Sequence, residues 1–181
     1  IGLNKKLKDI AHHSLFFDVD FERHGNEIYV TGEWPADPLF YVSATSVSDT
    51  SVAPDGCENL FFLVPIASGL DGDTEKLREE YFKKIIKRFE QNIGEAVTDF
   101  IIYKKTFGPG DFVNEYNAFK GNAYGLANTL LQTAILKPSC RSKKVKNLFY
   151  AGQLTVPGPG VPPSLISGEV AAKEVTKYFD L

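Results

Sequence analysis

The sequence predicts an α/β chain of the α+β kind: a mostly antiparallel sheet with a covering helix, followed by a closing strand, loop and helix. Three observations predict it. Short alternating or apolar runs recur between turn signals from residue 13 to residue 107. One stretch, centred on residues 74–94, repeats its apolar side chains every four positions. Finally, "NLFYAGQLTVPGPGVPPSLISGEVAA", residues 147–172, runs from an apolar strand through glycine and proline into a helix with a small-residue face.

Composition narrows the function classes first. With 181 residues, 43% hydrophobic and 13% aromatic, the chain can bury a sizeable core. Its net charge is -3 and its lysines are scattered among acids, which gives no basic stripe and points to no nucleic acid partner. No apolar run approaches the roughly 18 residues of a membrane span, and no segment has the order of a signal peptide. The expected location is the cytoplasm, or a peripheral position at the inner face of the membrane. Cys57 and Cys140 have no CxxC partner and no histidine at ligand spacing, so neither a disulfide framework nor a metal site is expected. The chain begins at Ile1 and contains no methionine, which reads as an excised or processed piece of a longer chain carrying half of a site.

The strands are expected in "SLFFDVDFE", "EIYVTGEW", "LFYVSATSV", "NLFFLVPIA" and "DFIIYKKTF". In the first, Asp18, Asp20 and Glu22 alternate with Phe17, Val19 and Phe21, the pattern of a half-solvated strand. "NLFFLVPIA" is apolar on both faces and should lie centrally, in one contiguous sheet. The helix has Asp73 or Thr74 as its cap and Gly94 as its stop, with Leu77, Tyr81, Ile85, Phe89 and Ile93 on the face that covers the sheet. Its "KKIIKR" segment is interleaved with Glu75, Glu79, Glu80 and Glu90 and reads as a solvated face rather than a membrane-binding one. Residues 117–138 show no strong period and suggest loops and short helices lining something. "VKNLFYAG" then gives a short strand, and Leu165, Gly168, Ala171, Ala172, Val175 and Phe179 form one stripe on the last helix.

The closing loop has the shape of a nucleotide-cradling turn but fails the dinucleotide fingerprint. Gly158 and Gly160 are followed by Pro163 instead of a third glycine, and no later strand supplies an acidic ribose ligand. Pro162 and Pro163 remove two of the amides that would point out of the first helical turn. The N–H groups of Val161 and Ser164 and the positive end of the helix remain. Such a set suits a single oxygen carrying partial negative charge, for which the N1 and C2 carbonyl edge of a flavin is one candidate. A plain strand-turn-helix element is the other reading.

Four blocks carry a resemblance: "NLFYAGQLTVPGPGVPPSLISGEVAA"; "GNAYGLANTLLQTAILKPSCRS", with Leu, Gln, a hydroxyl residue and Ala ahead of a basic residue and Pro; "DPLFYVSATSVSDTSVAPDGCENLFFLVPIAS"; and "AHHSLFF". Together, spanning nearly the whole chain in the family's order, they resemble the C-terminal portion of bacterial phytoene desaturases, in the phytoene dehydrogenase and carotenoid isomerase family of flavoproteins. The resemblance implies FAD as cofactor and matches Gly152, Gln153, Thr155, Pro157, Gly158, Gly160, Val161, Pro162 and Ser164 to the flavin-proximal loop. Leu130, Gln132 and Thr133 match a segment near the cofactor and the substrate tunnel, with interdomain packing as the alternative. Val156 stands where many members have His, Gln153 and Leu154 replace Ala-Gly, and Pro163 replaces Gly, which leaves the substrate and reaction outcome open.

The resemblance further implies that residues 1–115 belong to a substrate-binding domain. Residues 116–181 would be the returning strand, loop and helix of a Rossmann-type FAD-binding domain whose N-terminal half is absent. The partners implied are an apolar carotenoid or isoprenoid substrate and that missing half. No catalytic side chain is assigned, because the flavin carries the chemistry by taking a hydride from the polyene while a proton is lost. His12 and His13 could assist the proton loss or serve only in capping and packing, and His24 has no motif partner. A carotenoid isomerase, a saturase, an amine-oxidase-like enzyme and a non-catalytic isoprenoid-binding domain are the alternatives.

Overall fold

The computed structural model describes residues 1–127, 129–133 and 136–180, so that Ala134 of the motif quoted above lies outside the described residues. The chain divides into two compact units, Ile1–Gly121 and Asn122–Leu181.

In the first unit the elements run β1 (Gly2–Leu3), β2 (His13–Phe16), α1 (Phe21–Asn26), β3 (Phe40–Ser43), β4 (Glu58–Asn59), β5 (Phe61–Leu63), α2 (Glu75–Ile93), β6 (Ile101–Tyr103) and α3 (Pro109–Tyr116). They form two antiparallel three-stranded sheets, ordered β4-β1-β6 and β2-β3-β5, where the sequence suggested a single contiguous one. The difference originates in β1, which lies ahead of the segment with the alternating runs and gathers β4 and β6 around itself.

Helix α2 forms as its pattern predicts. Of the two candidate caps it uses Thr74, whose side chain accepts the Leu77 N–H at 3.2 Å, and it ends at Gly94 in the left-handed conformation. Ile85, Ile86 and Phe89 are buried with Leu3, Phe40, Val42, Leu60 and Val97. Phe89, fully buried, meets the rings of Phe16 and Phe62 edge-on at centroid distances of 5.6 and 5.1 Å. On the other face Lys83 pairs with Glu79 and Lys84 with Asp37, which answers the "KKIIKR" charges within the unit.

Three strand expectations fail, each for a local reason. Residues 17–22 leave the sheet because Asp20 caps α1, accepting the Glu22 and Arg23 N–H groups at 2.9 and 3.1 Å. Asp18 instead accepts from Arg88 and from Asn92 on α2. Residues 27–31, read as a strand, continue α1 as a wide π-type turn that Gly32 (φ 66°) terminates. β5 is an edge strand rather than a central one, with Phe61 57% exposed. The central strand is β3.

The turn before β4 buries a charge. Cys57 N–H bonds to Pro54 O at 2.9 Å across Gly56 (φ 75°), which turns Glu58 inward until it is 2% exposed. There the Glu58 carboxylate accepts from Ser46 Oγ (2.5 Å), Leu7 N–H (3.2 Å) and Lys6 Nζ (3.2 Å). The "PDGCENL" block thus supports structure through Glu58. A second ionic cluster joins α2 to α3: Arg78 reaches Asp73 at 2.6 Å and Asp111 at 2.7 Å, while Asp73 also accepts the Gly110 N–H at 2.8 Å.

The second unit is built on α4 (Val161–Phe179). The expected strand at "VKNLFYAG" contracts to an isolated bridge, Arg141 with Phe149, beside a Tyr150 N–H to Cys140 O bond of 2.8 Å. The buried line of α4 runs through Ser167 and Ala171. Leu165 and Phe179, assigned to the buried stripe by periodicity, are 72% and 54% exposed. A serine, Ser167, takes the most buried place on the helix, which turns the buried line away from the apolar stripe.

Candidate functional site

The site lies at the N-terminus of α4 and is held by its own backbone. Gly160 precedes the helix at φ 109°, a conformation that side chains rarely adopt, and its carbonyl accepts the Ser164 N–H at 3.0 Å as the first helical bond. Pro162 and Pro163 have no N–H to give. The Ser164 amide named from sequence is therefore engaged. Val161 N–H meets no acceptor among the described residues, and it stands where the aligned peptide dipoles of a 19-residue helix place positive charge.

Behind this turn the loop is tied down by hydroxyl groups. Gly152 N–H donates to Ser167 Oγ at 2.6 Å, and that hydroxyl donates to Ser164 O at 2.6 Å, so one fully buried serine locks the loop to the first turns of α4. Thr155, 3% exposed, donates its hydroxyl to Gly152 O at 3.0 Å and has the Cys140 sulfur 3.7 Å away. Thr155 thus holds the turn from within. Val156 N–H bonds to Pro138 O at 3.0 Å.

Gly158 answers to an internal neighbour. A Cβ there would stand 2.9 Å from Cε of Lys137, whose side chain is 6% exposed. Gly158 (φ 135°) lies against the lysine stem, whereas a Cβ at the exposed Gly160 would meet Pro163 at 3.4 Å.

An open groove of about 490 Å³ lies in front of the turn, lined by Ala123, Tyr124, Gln153, Gly160, Val161, Ser164 and Leu165. Four residues named from sequence, Gln153, Gly160, Val161 and Ser164, thus meet around one space. Gly152, Thr155, Pro157, Gly158 and Pro162 are not part of its lining. Neither are Leu130, Gln132 and Thr133, at and just after a 3-10 turn whose Leu130 is 87% exposed.

Sequence reasoning missed Ala123, Tyr124 and Leu165. A signal for the first two was present: Asn122 Oδ1 accepts the Gly125 N–H at 2.6 Å, an Asx-type turn that "NAYG" announces. Gly125 suits that turn by its φ of 84°, and a Cβ there would also press on Leu154 Cδ2.

The groove's lining includes Val161, whose N–H lies at the positive end of α4 and suits an oxygen carrying partial negative charge, with Tyr124 and Leu165 at the border. The residues present fit the N1 and C2 carbonyl side of a flavin, because one donor suits one oxygen. They do not fit its pyrophosphate, which needs several amides. Among the described residues no group of His, Cys, Asp and Glu could hold a metal ion. No described helix is long and apolar enough to cross a membrane.

No protein-family model matches the chain. Individual relatives match nearly all of it. A carotenoid 3,4-desaturase of Haloarcula japonica is 45% identical over 174 residues, 96% of this chain and 35% of the relative. A zeta-carotene-forming phytoene desaturase of Myxococcus xanthus is 29% identical over 98% of this chain and 35% of the relative. A 4,4'-diapophytoene desaturase of Staphylococcus aureus is 34% identical over 99% of this chain and 37% of the relative. The chain spans about a third of the length of these relatives. Over almost every residue the chain is thus similar to one stretch of desaturases named for different carotenoids.

Proposed function

We propose that the chain is part of an FAD-dependent carotenoid desaturase, in which a hydride and a proton leave an apolar polyene and a new double bond forms. The observation that carries the reading is the 45% identity to a carotenoid 3,4-desaturase across 96% of the chain. In this reading residues 1–115 contribute to a substrate-binding domain, and residues 116–181 are the returning segment of a Rossmann-type FAD domain. The dinucleotide-binding half lies outside the 181 residues. The protein works in the cytoplasm or at the inner face of the membrane, where its apolar substrate is available.

When bound, the flavin supplies the hydride acceptor. The chain's own contribution is positional and electrostatic. Val161 N–H and the positive end of α4 would hold the electron-rich edge of the ring, an effect of roughly 0.3–2 kcal/mol. Gly160 supplies the φ of 109° on which the turn is built, and Ser167 fixes the turn by locking the loop to the helix. Gln153, Tyr124 and Leu165 border the space in which ring and polyene would meet, and Leu130, Gln132 and Thr133 are assigned to the substrate side.

The test is product analysis. The complete gene is expressed in a host that accumulates an acyclic carotene, and the pigments are separated and weighed. Products two hydrogens lighter per step support the reading. An isomer of unchanged mass would make the protein an isomerase, a heavier product a saturase, and an unchanged pigment pool a binding protein or an enzyme acting on amines.

A further inference from the structure

The turn in front of α4 has a buried charge beside it. Lys137 is 6% exposed, and its stem runs along Gly158: a Cβ built on that glycine would lie 2.9 Å from Cε and 3.7 Å from Nζ of the lysine. The residues that follow the lysine are fastened to the same loop. Pro138 O accepts the Val156 N–H at 3.0 Å, and Cys140 Sγ lies 3.7 Å from both Thr155 Oγ1 and Val156 O. Gly158 precedes Val161 by three residues, a span of about 10 Å at most. The lysine charge is thus held close to the turn that presents the Val161 amide.

The sequence around it is one-sided in charge. Residues 122–168 contain no aspartate and no glutamate. The acids of the second unit, Glu169, Glu174 and Asp180, start in the third turn of α4, where Glu169 pairs with Lys173 at 2.5 Å, and end at the C-cap of the helix. Of the other cations in the stretch, Lys143, Lys144 and Lys146 are exposed, and the Arg141 guanidinium stands 4.4 Å over the Tyr178 ring. Water and salt screen exposed charges within about 8 Å and buried ones much less. Among these cations Lys137 is therefore the one whose field is best preserved at the loop.

A hydride brings an electron pair and a negative charge, so a fixed cation favours the ring that has received it over the ring that has not. Across about 10 Å at an effective dielectric constant of about 20, one unit charge shifts such an equilibrium about tenfold. The positive end of α4 acts in the same sense. We infer that Lys137 raises the reduction potential of the flavin at this loop, acting across the turn as a charge and not as a contact. The inference rests on the desaturase reading and adds a residue to it.

The flavin-loaded protein from the complete gene is reduced stepwise with dithionite beside a reference dye, with no polyene present, and compared with free FAD in the same buffer. The unmodified protein is expected to have the higher potential. Lys137→Met and Lys137→Gln are expected to favour the reduced flavin about tenfold less, a fall of about 30 mV for a two-electron couple, and Lys137→Arg to keep the original value. A neutral variant with an unchanged potential overturns the inference, as does an equal fall in Lys137→Arg, which would show that shape and not charge is felt. If neither neutral variant holds flavin, the unmodified protein decides: a potential above that of free FAD supports the inference, and one below it overturns it. Product mass separates the two claims. A potential indifferent to Lys137 in a desaturating enzyme refutes the inference alone, whereas a potential that follows Lys137 in a protein giving no lighter product refutes the desaturase reading alone.

Discussion

Two glycines two positions apart have different duties, and substitution separates them. Gly158 holds φ 135° beside the stem of Lys137, so Gly158→Ala should lower stability by about 1–3 kcal/mol through backbone strain, measured by denaturant unfolding. Gly160 faces outward at φ 109°, and Gly160→Val should abolish flavin content in the protein from the complete gene, read from its visible absorption. The far-ultraviolet signal of the sheets should persist. Val161→Ala should leave flavin content unchanged, since the amide survives. Ser167→Ala should cost about 1–3 kcal/mol by leaving the Gly152 N–H without its acceptor. At this scale the sequence was legible wherever backbone chemistry alone decides: two prolines and a glycine were enough to single out the Val161 amide. It was illegible for Ser164, whose amide is consumed by Gly160 O, and for Ser167 and Lys137, whose duties depend on what the fold brings beside them.

Helix α2 could be read in full because cap, stop and apolar repeat agree over five turns. Phe89→Ala should destabilise the first unit by about 3–5 kcal/mol in thermal or denaturant unfolding, through the cavity left beside Phe16 and Phe62. The α2–α3 cluster should give the unit an acid-sensitive limb. Hydrogen bonding to Arg78 is the chief cause that holds the Asp73 carboxyl below its ordinary value, with burial opposing it and the Gly110 N–H and the Arg78 charge adding to it. A carboxyl lowered in the folded state contributes stability that is complete above its unfolded value, about pH 4, and is lost as the pH falls through the folded value. Asp73→Asn should therefore lower stability at neutral pH and flatten the loss on acidification, seen in melting temperatures across that range. Short strands were harder to read than the helix. "EIYVTGEW" has strand-like residues, yet the cap at Asp20 starts a helix upstream and the chain winds on through Thr31 until Gly32 stops it. The apolar "NLFFLVPIA" supplies an edge strand, since β5 pairs with β3 alone, and its outward Phe61 is 57% exposed.

For the molecule as a whole, the energetic argument concerns what these residues cannot do alone. One free amide and a helix dipole contribute on the order of 1–3 kcal/mol toward a flavin, whereas micromolar binding needs about 8 kcal/mol. The isolated 181-residue chain, titrated with FAD, should show no saturable micromolar quenching of flavin fluorescence. Saturable binding would mean that these residues form a whole cofactor site. The central claim is that the loop before α4 serves flavin-dependent removal of hydrogen from a polyene. It is tested most directly by mixing the purified flavin-loaded protein from the complete gene with an acyclic polyene under anaerobic conditions, while flavin absorbance and product mass are followed together. The account predicts bleaching of the oxidised flavin in step with a product two hydrogens lighter, and loss of both signals in Gly160→Val. A flavin that stays oxidised while the polyene is converted, or a polyene that returns unchanged, would contradict it.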